Sequence, residues 1–198
     1  MFRLRPLAVC AVALATVAAP AVAADTAWKI DPGHSSAEFG IKHFAITTVK
    51  GTIPVKAGTI AIPAGKEIPS SIEATLDASA IDSKNERRDN DLKSPDFFDV
   101  QRYPTITFKS TKIDGTDPSK FTIVGELTMH GVTKPVTLEA HLEGNGTGAR
   151  GEKRLGYSAV TTIHRRDFGL TNGTTNATGA LVVGEDAQVT LDVEAIGQ

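Results

Sequence analysis

FTIVGELTMHGVTKPVTLEAHLEG, residues 121–144, carries the pattern on which the fold depends. Phe121, Ile123, Gly125, Leu127 and Met129 alternate with Thr122, Val124, Glu126 and Thr128. After His130-Gly131, Val136, Leu138, Ala140 and Leu142 alternate with Thr137, Glu139, His141 and Glu143. Period two is the mark of a half-buried strand, because successive side chains point to opposite faces. Two such runs around a glycine turn read as an antiparallel hairpin.

The same period recurs on both sides. Upstream it is carried by Ala37, Phe39 and Ile41, by Ile53 and Val55, by Ile60 and Ile62, and by Ile72, Ala74 and Leu76. Ile106 and Phe108 carry it in the middle of the chain, then Leu155, Tyr157, Ala159, Thr161 and Ile163, and finally Val189, Leu191, Val193 and Ala195. About eight to ten strands at hairpin spacing follow, with no helical crossover long enough for a parallel sheet. The fold class is therefore all-β, one antiparallel domain closed as a barrel or stacked as a sandwich. Ala37, Ala74, Gly125, Ala140 and Ala159 put small residues among the aromatics of the inward lines. An eight-stranded barrel with such a lining has an interior wide enough for one elongated ligand. A filled core is equally compatible with these residues.

One stretch departs from the pattern: IDSKNERRDNDLKSPDFFDVQRYP, residues 81–104. Ser83 and Glu86 form a Ser-x-x-Glu capping box, which predicts a short helix over 84–92. Ser94 with Pro95 and Asp96 predicts a second helical start, followed by the apolar anchor of Phe97 and Phe98. Tyr103-Pro104 returns the chain to an extended form, since proline disfavours helix in the residue before it. The segment reads as a cover on a β structure.

Arg3 and Arg5, the apolar run 7–17 and the small-x-small triplet Ala21-Val22-Ala23 read as a secretory signal peptide over residues 1–23, too short in its apolar part to span a bilayer. The expected domain is 24–198 and the expected location is the periplasm. Cys10, the only cysteine, lies in the leader, so no disulfide and no cysteine nucleophile remains in the expected mature domain. Removing Arg3 and Arg5 from 21 basic residues leaves 19 against 23 acidic, a net charge of −4. That balance argues against nucleic acid and against docking on anionic membranes through overall charge. No later segment is long and apolar enough for stable insertion into a membrane. The histidines at 34, 43, 130, 141 and 164 lack close-spaced partners, so no metal site is expected.

The motifs together resemble the YceI-like family. Asp31-Pro32-Gly33-His34-Ser35 and Ile41-Lys42-His43-Phe44 resemble its opening. Ile81-Asp82-Ser83, Arg88-Asp89, Leu92-Lys93-Ser94, Asp96-Phe97-Phe98-Asp99 and Tyr103-Pro104-Thr105-Ile106-Thr107-Phe108 look like its central signature. Gly125-Glu126-Leu127-Thr128-Met129-His130-Gly131 and Ile163-His164-Arg165-Arg166-Asp167-Phe168-Gly169 are similar to its later blocks.

The resemblance implies an extended eight-stranded antiparallel, lipocalin-like barrel with the short helical segment, about 83–98, packed on it. It implies a binding or carrier protein without catalysis or cofactor, whose ligand is a polyisoprenoid or isoprenoid quinone; a homodimer is compatible with it. Within that frame Phe39, Ile41, Phe97, Phe98, Phe108, Phe121, Leu127, Tyr157 and Phe168 are the expected lipid-lining residues, as ligand pockets prefer apolar and aromatic walls. Arg88, Asp89 and His34 are the expected head-group residues, guanidinium being suited to oxyanions. Against the head-group role, an Arg-Asp pair also serves to pin a helix to its loops, and a histidine beside Pro32-Gly33 to bond turn backbone. The family's Arg-Asp-x-His-Leu is Arg88-Asp89-Asn90-Asp91-Leu92 here, an anion in place of a titratable group. Two other readings stand beside the carrier: an enzyme using Arg88 and Asp89 as acid and base, and a filled-barrel structural protein of stress response.

Overall fold

The computed structural model describes residues 25–173, 175–179 and 181–197; the expected signal peptide, residues 1–23, lies outside them. The strands are β1 (Thr26–Ile30), β2 (Ser36–His43), β3 (Thr47–Ile62), β4 (Ser71–Asp77), β5 (Thr105–Asp117), β6 (Lys120–Met129), β7 (Val132–Thr147), β8 (Lys153–His164) and β9 (Val183–Gly197), with one helix, α1 (Glu86–Lys93), between β4 and β5. All pairings are antiparallel.

Nine strands make an eight-stranded closed barrel, because β1 and β2 share one place in the ring. β1 lies between β3 and β9 through Trp28↔Ile60 and Trp28↔Gly197. Further along, β2 lies between the same two strands through Phe39↔Gly51 and Phe39↔Val189. The break between them is Pro32–His34, a single 3-10 turn capped by the Asp31 carboxylate, which accepts the Gly33 N–H at 3.0 Å. Proline supplies no ladder donor there, so the strand is interrupted but not displaced. The β3–β4 pairing then closes the ring and leaves no free sheet edge.

The inward side chains form two apolar clusters, one towards each end. Ile30, Ile60, Ile62, Phe121, Tyr157 and Leu155 belong to the first, at the floor. Ile53, Ile81, Val100, Ile106, Met129 and Phe168 belong to the second, at the end where Leu92 of α1 and Phe98 of the turns after it pack.

The helix differs from the expected one at both ends. It begins at Glu86, and its cap is Asn85, whose side chain accepts the Arg88 N–H at 3.0 Å. Ser83 does not cap it. Lys84 has φ 61°, a left-handed conformation that cannot be the first residue of a right-handed helix, so the chain bends between Ser83 and Asn85 before the helix begins. The second helical start is also absent. Ser94 ends α1, its N–H bonding the Asp91 carbonyl, and residues 94–102 coil back as turns. Phe98 N–H bonds Leu92 O at 3.0 Å and Val100 N–H bonds Lys93 O at 3.2 Å. These bonds satisfy carbonyls that a helix end leaves orphaned, which a fresh helix at Pro95 would not do.

Candidate functional site: an apolar cavity in the barrel

The small residues of the inward lines serve as beds for aromatic rings. Phe39 lies opposite Gly51, and a Cβ on Gly51 would meet its ring at 2.5 Å. Phe108 lies against Gly125 in the same manner, with the Lys109 carbonyl 2.6 Å from where a Cβ would stand. Tucking rings over bare backbone keeps bulky side chains inside the barrel while clearing its axis.

What remains is a cavity of about 240 Å³ with an almost wholly apolar wall. Eight of the nine expected lining residues border it: Phe39, Ile41, Phe97, Phe98, Phe108, Phe121, Leu127 and Tyr157. Phe168 does not. It is 2% exposed in the helix-end cluster, on the 3-10 turn that follows β8, and its carbonyl bonds His130 Nδ1 at 3.1 Å. Its position in sequence, just past the alternation of β8, carries no information about facing, which explains the difference.

The two ends of the cavity are unlike. At the floor Ile30, Ile60, Phe121 and Tyr157 are all buried. Phe121 and Tyr157 meet edge to face, ring centroids 6.2 Å apart, and the Tyr157 hydroxyl donates to the Glu67 carbonyl at 2.6 Å. Burial pushes the Tyr157 pKa up to about 12. At the helix end Ile41, Phe97, Phe98, Val183 and Ala187 line the same cavity but keep part of their surface open. This is the mouth.

The expected head-group residues do not gather there. Arg88 and Asp89 are engaged with Ser83, which is 3% exposed. Asp89 Oδ1 accepts the Ser83 N–H at 2.7 Å and hydroxyl at 2.5 Å, while Arg88 Nε donates to the Ser83 hydroxyl oxygen at 2.7 Å and its NH2 to the Ser83 carbonyl at 2.8 Å. Neither residue borders the cavity. The pair holds the chain entering α1, the pinning role its spacing also allowed. His34 lies outside the barrel at the β1–β2 break, bonded to Asp31 Oδ2 at 2.9 Å. Hydrogen bonding to His34, then to the Gly33 N–H, holds the Asp31 carboxyl below its ordinary value. Asp31, His34 and Glu194 bring three possible metal ligands within 4.8 Å of one another. The guanidinium of Arg154 already bridges Asp31 and Glu194 and also holds Glu152, so a cation is in place.

A charged group outside the expected set does reach the cavity. Arg165 borders it near the mouth and is 5% exposed. Its Nε donates to the Gly184 carbonyl at 2.8 Å, NH1 to the carbonyls of Leu170 and Asn172 (2.6 Å for the latter), and NH2 to that of Val183 at 3.4 Å. Among the described residues it makes no ion pair, and burial lowers its pKa. Its neighbour Arg166 makes the ion pair instead, with Glu185 at 2.5 Å. No spacing rule separates Arg165 from Arg166; only the 3-10 turn decides which of the two points inward.

The YceI-like domain matches residues 28–195, from within β1 to within β9. The chain belongs to the YceI-like family. The UPF0312 protein of Pectobacterium atrosepticum is 32% identical over 194 residues, covering 97% of this chain and 96% of the relative. That of Vibrio parahaemolyticus is 33% identical over 150 residues, covering 76% and 79%. Among solved structures, the YceI protein of Campylobacter jejuni is 30% identical, with TM-score 0.68 over 79% of this YceI-like chain and 90% of that one. A polyisoprenoid binding domain from Saccharophagus degradans, implicated in plant cell wall breakdown, shares the fold with TM-score 0.61 at 12% identity, over 87% and 99% of the two chains.

Proposed function

We propose that this protein is a periplasmic carrier that holds one long apolar lipid of the isoprenoid class, a polyisoprenoid or isoprenoid quinone, in its barrel, without catalysing a reaction on it. The observation that carries the reading is the cavity: apolar along its length, with Phe121 and Tyr157 buried at one end and Ile41, Phe97 and Phe98 partly exposed at the other. A prenyl tail leaving water for such a wall gains about 0.8 kcal/mol per methylene-sized group. A bilayer offers the tail an equally apolar home, so the protein can release what it takes up. The polyisoprenoid binding described for the Saccharophagus degradans domain supports the same ligand class here.

Size adds a constraint. A water-sized group takes about 30 Å³ of condensed volume, so a cavity of about 240 Å³ holds on the order of eight such groups, only the end of a long prenyl tail. A whole tail widens the barrel or leaves its head end outside the mouth. Arg165, hydrogen-bonded to carbonyls and without an ion pair among the described residues, is the cationic group on the cavity wall that could meet such a head. The leader-like sequence of residues 1–23 supports the periplasmic location.

Native mass spectrometry of the protein isolated from the periplasm, followed by organic extraction, tests the reading. A discrete adduct identified as a prenyl lipid or quinone supports it and names the cargo. A bare mass that stays bare after incubation with geranylgeraniol and ubiquinone overturns it.

A further inference from the structure

The turn between β2 and β3 is built against its own conformational preference. It closes with the Ile46 N–H on the His43 carbonyl at 3.0 Å, and its central residues, Phe44 and Ala45, have φ of 51° and 58°. Turns with two positive φ angles favour Asn-Gly, because a side chain there crowds the backbone. Here they hold Phe-Ala, at a conformational cost of the kind that persists where the surroundings or a function require it. The result is an apolar tip in solvent: Phe44 is 40% exposed and Ile46 79%. Phe44 N–H bonds the Val182 carbonyl and His43 pairs with Val183, so the tip stands directly on the cavity wall at its mouth, beside Ile41.

Charge is distributed around this tip in a way the total conceals. The chain is net −2, yet residues 39–66 contain no Asp or Glu and four lysines. Lys42 and Lys50 are exposed on the outward face of the hairpin just behind the tip and make no ion pair among the described residues. On β9 opposite, Glu185 and Asp186 are engaged with Arg166 and His164. Among the described residues, further exposed acids near the mouth are Asp91 and Asp96 on the α1 side and Glu38 further along β2.

We propose that the β2–β3 hairpin is a membrane-docking element: Phe44 and Ile46 enter the interface of a bilayer containing anionic phospholipid, Lys42 and Lys50 meet its head groups, and the cavity mouth is thereby set against the membrane for direct transfer of cargo. The cargo rests on the lipid-carrier reading above; the docking does not. An apolar tip backed by lysines is the chemistry of shallow, reversible interfacial binding, with two lysines too few for a permanent anchor. A protein partner would equally cover an apolar tip, but it would make no use of the flanking lysines with lipid vesicles, and the experiment separates the two.

The test is transfer of a fluorescent geranylgeranyl lipid between the protein and vesicles of phosphatidylcholine with or without phosphatidylglycerol. Docking predicts a rate that rises with vesicle concentration, rises again with phosphatidylglycerol and falls with salt. Phe44→Asn with Ile46→Ser keeps a turn that tolerates positive φ and removes the apolar tip. It is expected to slow transfer at least tenfold, and Lys42→Gln with Lys50→Gln to abolish the phosphatidylglycerol effect, both leaving affinity for lipid added from solvent unchanged. A rate independent of vesicle concentration, or equal in the tip variant and the wild type, overturns the proposal. If the wild type takes up no lipid at all, the carrier reading fails alone, and docking is still decided by flotation of the protein with phosphatidylglycerol vesicles, lost in the tip variant if the proposal holds and absent in the wild type if it does not.

Discussion

The ring of Phe108 on β5 rests against the bare backbone of Gly125 on β6, and the methyl group of an alanine at 125 would overlap both the ring and the Lys109 carbonyl. The ring borders the cavity and occupies the space a side chain at 125 would take.

Gly125→Ala is therefore expected to destabilise the protein by about 1–3 kcal/mol, the range for overpacking a well-filled interior. Phe108→Leu in the same chain relieves the ring overlap but not the clash with the Lys109 carbonyl, so rescue is partial. Urea unfolding of the two single variants and the double variant measures the coupling directly. Additive losses would show that the two residues do not act as a unit.

Asp89 is expected to matter for anchoring α1 and little for the ligand. Asp89→Ala leaves the buried N–H and hydroxyl of Ser83 without their carboxylate acceptor, a loss of about 1–3 kcal/mol. Hydrogen exchange should speed up across residues 82–93 while affinity for a prenyl lipid stays within a few fold. A collapse of affinity with unchanged exchange would return Asp89 to the binding site.

Tyr157 makes a prediction in alkali. Its pKa is pushed up to about 12 by burial, above the ordinary tyrosine value of about 10. The folded protein keeps this proton after the unfolded chain has lost it, so stability falls as pH rises from about 10 to about 12 through this group. Tyr157→Phe removes that pH dependence and also the bond to the Glu67 carbonyl. Ultraviolet titration should show a tyrosine ionising near pH 12 that is lost in Tyr157→Phe.

His164 makes the corresponding prediction near neutrality. Its hydrogen bond to Asp186 at 2.8 Å is the main cause of a raised pKa, with Asp167, Asp186 and Glu185 adding charge attraction. A raised histidine contributes stability fully below its unfolded value of about 6.5, and loses it as pH climbs through the folded value. Asp186→Asn is expected to move the His164 midpoint down in an NMR titration. An unmoved midpoint would remove the bond as the cause.

The floor of the cavity should act as a length stop. Phe121→Ala opens space beyond the Phe121–Tyr157 contact and is expected to shift binding towards longer prenyl alcohols in a competition series. An unchanged length preference would place the stop elsewhere.

The sequence by itself determined the class of fold, because period-two alternation reports facing residue by residue: Phe121, Ile123, Leu138 and Ala140 all point inward as their spacing requires. It also determined eight of the cavity-lining residues, since inward, aromatic and small are properties of single positions. The tertiary structure alone decided what depends on several chain segments at once. The left-handed Lys84 moved the helix start and turned Ser83 into a binding partner of Asp89. The 3-10 turn after β8 chose Arg165 over Arg166 for the interior and drew Phe168 away from the cavity. Barrel closure put His34 outside the barrel towards the floor end and Arg88 at the mouth end, so residues read as one head-group set are held apart. Local periodicity encodes which way a side chain points; which remote groups it then meets is set only when β3 pairs with β4 and the ring closes.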